Sequence, residues 1–130
     1  MNVFSKLLEY GQISIPFNNR ARYDCILDYE GRLIRIQIKH ASLNKNGSYT
    51  IYMRNVRPTK NGYIRKPYNK EQTDYIATII DGEIYLFNPE YSKYGITVRK
   101  DYPISNTKQR INLLKNFHID KILHENVDEA

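Results

Sequence analysis

The stretch from residue 23 to residue 41 constrains the fold of this chain more than any other. Residues 23–28 are largely apolar, Glu30-Gly31 is turn chemistry, and residues 33–41 alternate. Ile34, Ile36 and Ile38 take one face of a strand while Leu33, Arg35, Gln37 and Lys39 take the other, because strand side chains repeat every two residues. The pattern predicts a β-hairpin with one apolar row and one polar row. It sets Asp24 on the first strand and Gln37 and Lys39 together on the second.

The remaining segments read as further short elements of one domain. Val3, Phe4, Leu7 and Leu8 predict a short helix stopped at Gly11, which can take the left-handed conformation. Ile13, Ile15 and Phe17 alternate as a strand, and Asn18-Asn19 is a turn. A fourth strand is predicted over 49–56, after the Asn46-Gly47 turn. Residues 57–70, with Pro58, Gly62 and Pro67, predict a long surface loop. Asp81-Gly82 between 75–80 and 84–87 is a strong hairpin signal, and 96–99 predicts a last short strand. Asn106 with Gln109 resembles a capping box ahead of Ile111, Leu114 and Phe117 at helical spacing. Residues 1–123 are expected to form one domain and 124–130 a polar, acidic tail.

A chain of 130 residues supports a single core. No apolar run is long enough to span a membrane, and the first ten residues carry no recognisable signal peptide. Cys25 is the one cysteine. It lies in an apolar strand and has no internal disulfide partner, which predicts a buried, inert thiol and fits a reducing cytoplasm. The net charge of +6 is unevenly spread: residues 17–66 hold eleven Lys or Arg against three acids, and the rest hold nine against eleven. A basic middle interleaved with tyrosine and glycine, as in Asn61-Gly62-Tyr63-Ile64-Arg65-Lys66, is the footprint of a polyanion-binding surface.

The ordered motifs go further. Ile13-Ser14-Ile15-Pro16-Phe17, Asn18-Asn19, Arg22-Tyr23-Asp24, Cys25-Ile26-Leu27, Gly31-Arg32-Leu33 and the apolar strand ending in Gln37-Ile38-Lys39 follow one another. Thr73-Asp74-Tyr75-Ile76-Ala77 and Ile84-Tyr85-Leu86-Phe87 come later. Together they resemble the PD-(D/E)XK endonucleases of the group I intron homing type, in the branch where glutamine replaces the usual acidic residue before lysine. No single triplet is specific; the ordered set spans most of the chain.

The resemblance implies a restriction-endonuclease-like α/β fold, a mixed central β-sheet flanked by helices, and metal-dependent hydrolysis of phosphodiester bonds in double-stranded DNA. It implies catalytic roles for Asp24, Gln37 and Lys39, with Asp24, Gln37 and the backbone carbonyl of Ile38 as ligands of Mg2+, for which Mn2+ can substitute. Mg2+ is hard and takes oxygen ligands. Lys39 can orient the attacking water or stabilise charge on the phosphate. The family usually adds an acid on its first helix. Counting back from Asp24 puts that position at or before Met1, and Glu9 lies out of register near the helix end. Asp24 is then the one anionic ligand, and a weak metal site, completed by DNA phosphate oxygens, is expected.

DNA contacts are expected from Arg20, Arg22, Lys45, Arg54, Asn55, Arg57, Lys60, Arg65 and Lys66. Asn55, Arg57 and Asn61 are candidates for base edges. So small a chain covers little DNA, which implies a homodimer or homotetramer. Two alternatives stay open: a junction-resolving nuclease acting on branched DNA, and a nuclease-derived DNA- or protein-binding factor, such as a viral inhibitor, that does not cut. His40, His118, His124 and Asp74 are expected to be structural or exposed.

Overall fold

The computed structural model describes residues 2–18, 20–102 and 111–127, and the side chains of all of these except 55–59, 63–67 and 126–127. In chain order the elements are α1 (Val3–Leu7), β1 (Gln12–Ser14), β2 (Cys25–Tyr29), β3 (Arg32–Ile38), β4 (Ala41–Leu43) and β5 (Tyr49–Tyr52). Then come β6 (Arg54–Thr59), β7 (Gly62–Pro67), β8 (Tyr75–Ile80), β9 (Glu83–Phe87), β10 (Gly95–Arg99), β11 (Asn112–Leu113), a 3-10 turn (Leu114–Phe117) and α2 (Ile119–Val127).

The central hairpin is β2–β3, paired from Cys25↔Ile36 to Tyr29↔Arg32. Glu30 and Gly31 turn it with φ of 50° and 85°, the doubly positive turn whose twist suits a two-residue hairpin. The sheet built on it runs β1-β2-β3-β8-β9. Only β3–β8 is parallel among its pairs. A parallel pair needs a long crossover, and the chain between these two strands supplies it with β4, β5 and the β6–β7 ribbon. A second sheet runs β11-β10-β5-β4.

The alternation along β3 decides the layers. Ile34 and Ile36 share a face with Cys25 and Leu27 across the hairpin, and Leu7 of α1 with Ile119 and Leu123 of α2 cover that face. Each such fully buried Leu or Ile contributes roughly 1.5–3 kcal/mol. The other face is covered at its β8–β9 end by the second sheet: Ile76, Ile80 and Phe87 pack with Ile51, Met53, Ile96, Val98 and Leu114. Helices therefore lie on one face of the mixed central sheet and a second sheet on the other. The polar row of β3 is left beside the uncovered end, where Leu33 is 69% exposed.

Several elements differ from the sequence expectation. The strand expected over 33–41 ends at Ile38, and Ala41 starts β4 in the second sheet. The strand expected over 49–56 breaks at Met53, and the loop expected over 57–70 is largely replaced by the β6–β7 ribbon, paired from Arg54↔Pro67 to Thr59↔Gly62. The first strand is shorter than expected and Phe17 is fully exposed; Pro16 cannot donate to a ladder. Gly11 is not left-handed. It is needed because a Cβ there would lie 1.9 Å from the Asp28 carbonyl oxygen of β2. The helix expected around Ile111–Phe117 is β11 and a 3-10 turn, and the helix proper starts at Ile119. There the His118 ring nitrogen Nδ1 accepts from the Asp120 N–H at 3.1 Å. Residues 124–127 of the expected tail are helical, and the Asn106–Gln109 capping box lies outside the described residues.

Candidate active site

Asp24 sits where β2 begins, and its local geometry is irregular. Its N–H donates to the Ile36 carbonyl at 2.8 Å, although Cys25 is already the register partner of Ile36. Two residues of one strand thus stand against one of the other, the arrangement of a β-bulge, which re-aims a side chain and ends regular pairing. The Asp24 carboxylate turns toward the end of β3, where its Oδ2 accepts the Ile38 N–H at 2.7 Å. A strand residue directs its N–H and C=O to the same side, so the Ile38 carbonyl faces the Asp24 side too, beyond the last β2–β3 pair. Among the described residues the second carboxylate oxygen, Oδ1, accepts no hydrogen bond from protein.

Lys39 follows directly. Its N–H donates to the Ala77 carbonyl at 2.9 Å, holding the backbone against β8. Burial pushes the Lys39 ammonium below the ordinary lysine range, and the Asp24 charge partly opposes that shift. Gln37 pairs with Ile76, whose side chain belongs to the second core, so Gln37 points to the face that also holds Tyr68. Tyr68, 4% exposed, lies against both cations of the site: Lys39 Nζ is 5.2 Å and the Arg22 guanidinium carbon 5.4 Å from its ring centroid. Burial raises the Tyr68 phenol; Arg22 lowers it and Asp24 raises it further. Arg22 Nε and Nη2 are buried with no hydrogen-bond partner among the described residues.

The Asp24 carboxylate meets the Ile38 backbone where β2 and β3 part, and Gln37 lies on the sheet face that holds Tyr68 with the Lys39 and Arg22 cations; the candidate ligands are a carboxylate, an amide oxygen and a backbone carbonyl. The donors are all oxygen, which suits a hard divalent ion. Among the described residues no group of three or more His, Cys, Asp or Glu could hold a metal ion, so the set fits such an ion with a single protein charge.

The other candidates are dispersed. Arg20 is exposed, its N–H bonded to Asn18 Oδ1. Lys45 is exposed on the turn between β4 and β5, and Lys60 at the tip of the ribbon. Arg54 stacks 5.3 Å from the Tyr94 ring centroid. Asn55, Arg57, Arg65 and Lys66 lie on the ribbon strands, with Asn55 opposite Lys66 and Arg57 opposite Ile64; their side chains lie outside the described set. Arg35 pairs not with Asp24 but with Asp74, which accepts from the Arg35 N–H at 2.8 Å and from Nε and Nη2 at 3.2 Å. Arg35 also donates to the carbonyls of Glu71 and Lys70, so Asp74 ties the start of β8 to β3. His40 and His124 are exposed, and His118 bonds Glu83. Cys25 is buried and free. Tyr68 is the residue that sequence reasoning missed; it sits in a basic, proline-bounded segment with no local signal.

Comparison with solved structures defines the fold. The structure of I-Ssp6803I, a bacterial homing endonuclease, superposes with a TM-score of 0.70 at 21% identity, covering 98% of this chain and 88% of that one. The chain therefore has a restriction-endonuclease-like α/β fold. MepB aligns at 17% identity over 85% of this chain and 87% of its own, with a TM-score of 0.35, too low to inform the fold. No curated protein matches by sequence. The family model described as PD-(D/E)XK endonuclease matches residues 1–120; the chain belongs to that family. Among the described residues no helix is long and apolar enough to cross a membrane.

Proposed function

We propose that the chain is a divalent-metal-dependent endonuclease that cuts double-stranded DNA in the manner of a homing endonuclease. The observation that carries this reading is the Asp24 carboxylate bonded to the Ile38 N–H at 2.7 Å, which draws the acid and the Gln37-Ile38-Lys39 segment to one point. Asp24, the Gln37 amide oxygen and the Ile38 carbonyl would hold Mg2+, or Mn2+ in its place. When bound, such an ion polarises the phosphate and acidifies a water. The chain's own residues do the rest. Lys39, its proton loosened by burial, orients the attacking water and meets charge developing on the phosphate. Arg22, with donors unmet among the described residues, gives the phosphate a second cationic neighbour. With one anionic ligand, the site is completed by oxygens of the DNA itself.

Affinity comes from the dispersed cations. A two-stranded ribbon fits a DNA major groove, and β6–β7 carries Arg54, Asn55, Arg57, Arg65 and Lys66, with Lys60 at its tip. Recognition of a long site by so small a chain requires a homodimer or homotetramer.

The test is cleavage of linear duplex, branched and single-stranded DNA with Mg2+, paired with binding across a salt series. Duplex cutting that Lys39→Ala abolishes, with binding retained and weakened steeply by salt, is expected. Preference for branched DNA would turn the reading to a junction resolvase. Binding without cutting under Mg2+ and Mn2+ would overturn it in favour of a nuclease-derived binding factor.

A further inference from the structure

Among the described residues, Tyr68 is the buried aromatic ring that touches both cations of the site. We propose that Tyr68 is a positioning residue that fixes the Lys39 ammonium and the Arg22 guanidinium at the reacting phosphate by presenting one ring to both. This rests on the endonuclease reading of the same site.

Lys39 and Arg22 carry long, flexible side chains from different segments, and nothing in their own backbone sets the spacing of their charged ends. The ring sets it. It lies 5.2 Å from one cation and 5.4 Å from the other, within the reach of cation–π attraction, which strengthens as the pair is desolvated. The ring itself is not free to swing. It is packed in the second core with Ile51, Met53 and Ile76, and the Tyr68 N–H donates to the Met53 carbonyl at 3.4 Å. Two cations on one ring would repel each other, but the Asp24 charge favours the Lys39 ammonium and works against that repulsion. A tyrosine that merely filled the core would be replaceable by any apolar side chain of similar bulk; a positioning ring is replaceable only by another ring.

The test compares Tyr68→Phe with Tyr68→Leu, using Tyr68→Met if the leucine variant does not fold. Phe should cut duplex DNA within about threefold of wild type. Leu should lower the single-turnover rate by about 100-fold, the loss typical of a misplaced reacting group, while DNA affinity changes by less than about threefold because phosphate contacts are dispersed. A second readout does not need cutting. The Lys39 side-chain methylene protons should resonate upfield from the ring current in wild type and in Tyr68→Phe, and return to ordinary positions in the leucine or methionine variant. A folded Leu or Met variant that cuts like wild type overturns the inference, as does a Phe variant as slow as Leu, or a wild type without the upfield shift. If wild type cuts no DNA, the endonuclease reading fails, and the ring-current comparison still decides whether Tyr68 holds Lys39.

Discussion

Asp24 caps a strand end and, in the proposed site, is a metal ligand; two substitutions pull these roles apart. Its carboxylate accepts the Ile38 N–H at 2.7 Å, at a strand end where β2 no longer runs alongside β3. Asp24→Asn keeps an acceptor oxygen there but removes the charge. Asp24→Ala removes both, and the Ile38 N–H loses its partner. A partly buried donor left unmet costs ~2 kcal/mol, within the 1–3 kcal/mol measured for such losses. A neutral acceptor in place of a charged one costs ~0.5 kcal/mol, since charge-assisted bonds are about twice as strong. For a chain of this length 1 kcal/mol moves Tm by roughly 3–5 °C, so Ala should melt ~5–7 °C below Asn. Urea unfolding with an unchanged slope would confirm that the difference lies in the native state. On the endonuclease reading both variants should lose cutting alike, because both lose the one proposed anionic ligand. Equal stability of Asn and Ala would refute the strand-end role, and an Asn variant that still cuts would refute the ligand role.

Three further predictions follow from particular contacts. Gly11→Ala places a methyl 1.9 Å from the Asp28 carbonyl oxygen, so β1 must shift off β2 at a cost of about 1–3 kcal/mol; an unchanged melting temperature would contradict this. Asp74→Ala strips partners from Arg35 and should destabilise by about 1–2 kcal/mol through the lost hydrogen bonds. The ion pair itself, with side chains 31% and 36% exposed, adds little, and a variant that lost cutting without losing stability would show that Asp74 serves the chemistry instead. Cys25 is pushed up to about 11 by burial, so alkylation at pH 8 should be slow in the native protein and fast in urea. Because the fold favours the protonated thiol, its contribution to stability is full below the ordinary thiol value of 9.0 and is lost as pH rises through about 11. Rapid native labelling would place Cys25 outside the core.

The parts of the fold that local pattern encodes were legible, and those that depend on distant partners were not. Glu30-Gly31 and Asp81-Gly82 read as hairpin turns, and both pairs take positive φ. The β6–β7 ribbon was hidden by Pro58, Gly62 and Pro67, which read as breakers. In a ribbon of two strands every residue lies at an edge, so a proline can sit where no ladder bond is required of it. The two-residue strand β11 is defined by its pairing with β10 and by Asn112 Nδ2 donating to the Thr97 carbonyl at 3.3 Å. No local signal distinguishes it from the start of a helix, and Ile111, Leu114 and Phe117 happen to match helical spacing.

The site divides along the same line. Asp24, Gln37, Ile38 and Lys39 lie at the two strand ends of one hairpin, so their order in the sequence suffices to place them at the same end of it. Counting charge, by contrast, treats Arg22 and Lys60 alike. The structure separates them. Lys60 is exposed at the ribbon tip, while Arg22 is partly buried against a ring that arrives only after the chain has passed through β4, β5 and the ribbon. A partly buried cation with donors unmet among the described residues carries a desolvation cost that a solvated lysine does not. In a fold with free choice of surface positions such a cost persists where the cation serves the site. In the proposed endonuclease Arg22 therefore belongs with the reacting phosphate, and Lys60 with the dispersed contacts that would hold the rest of the DNA.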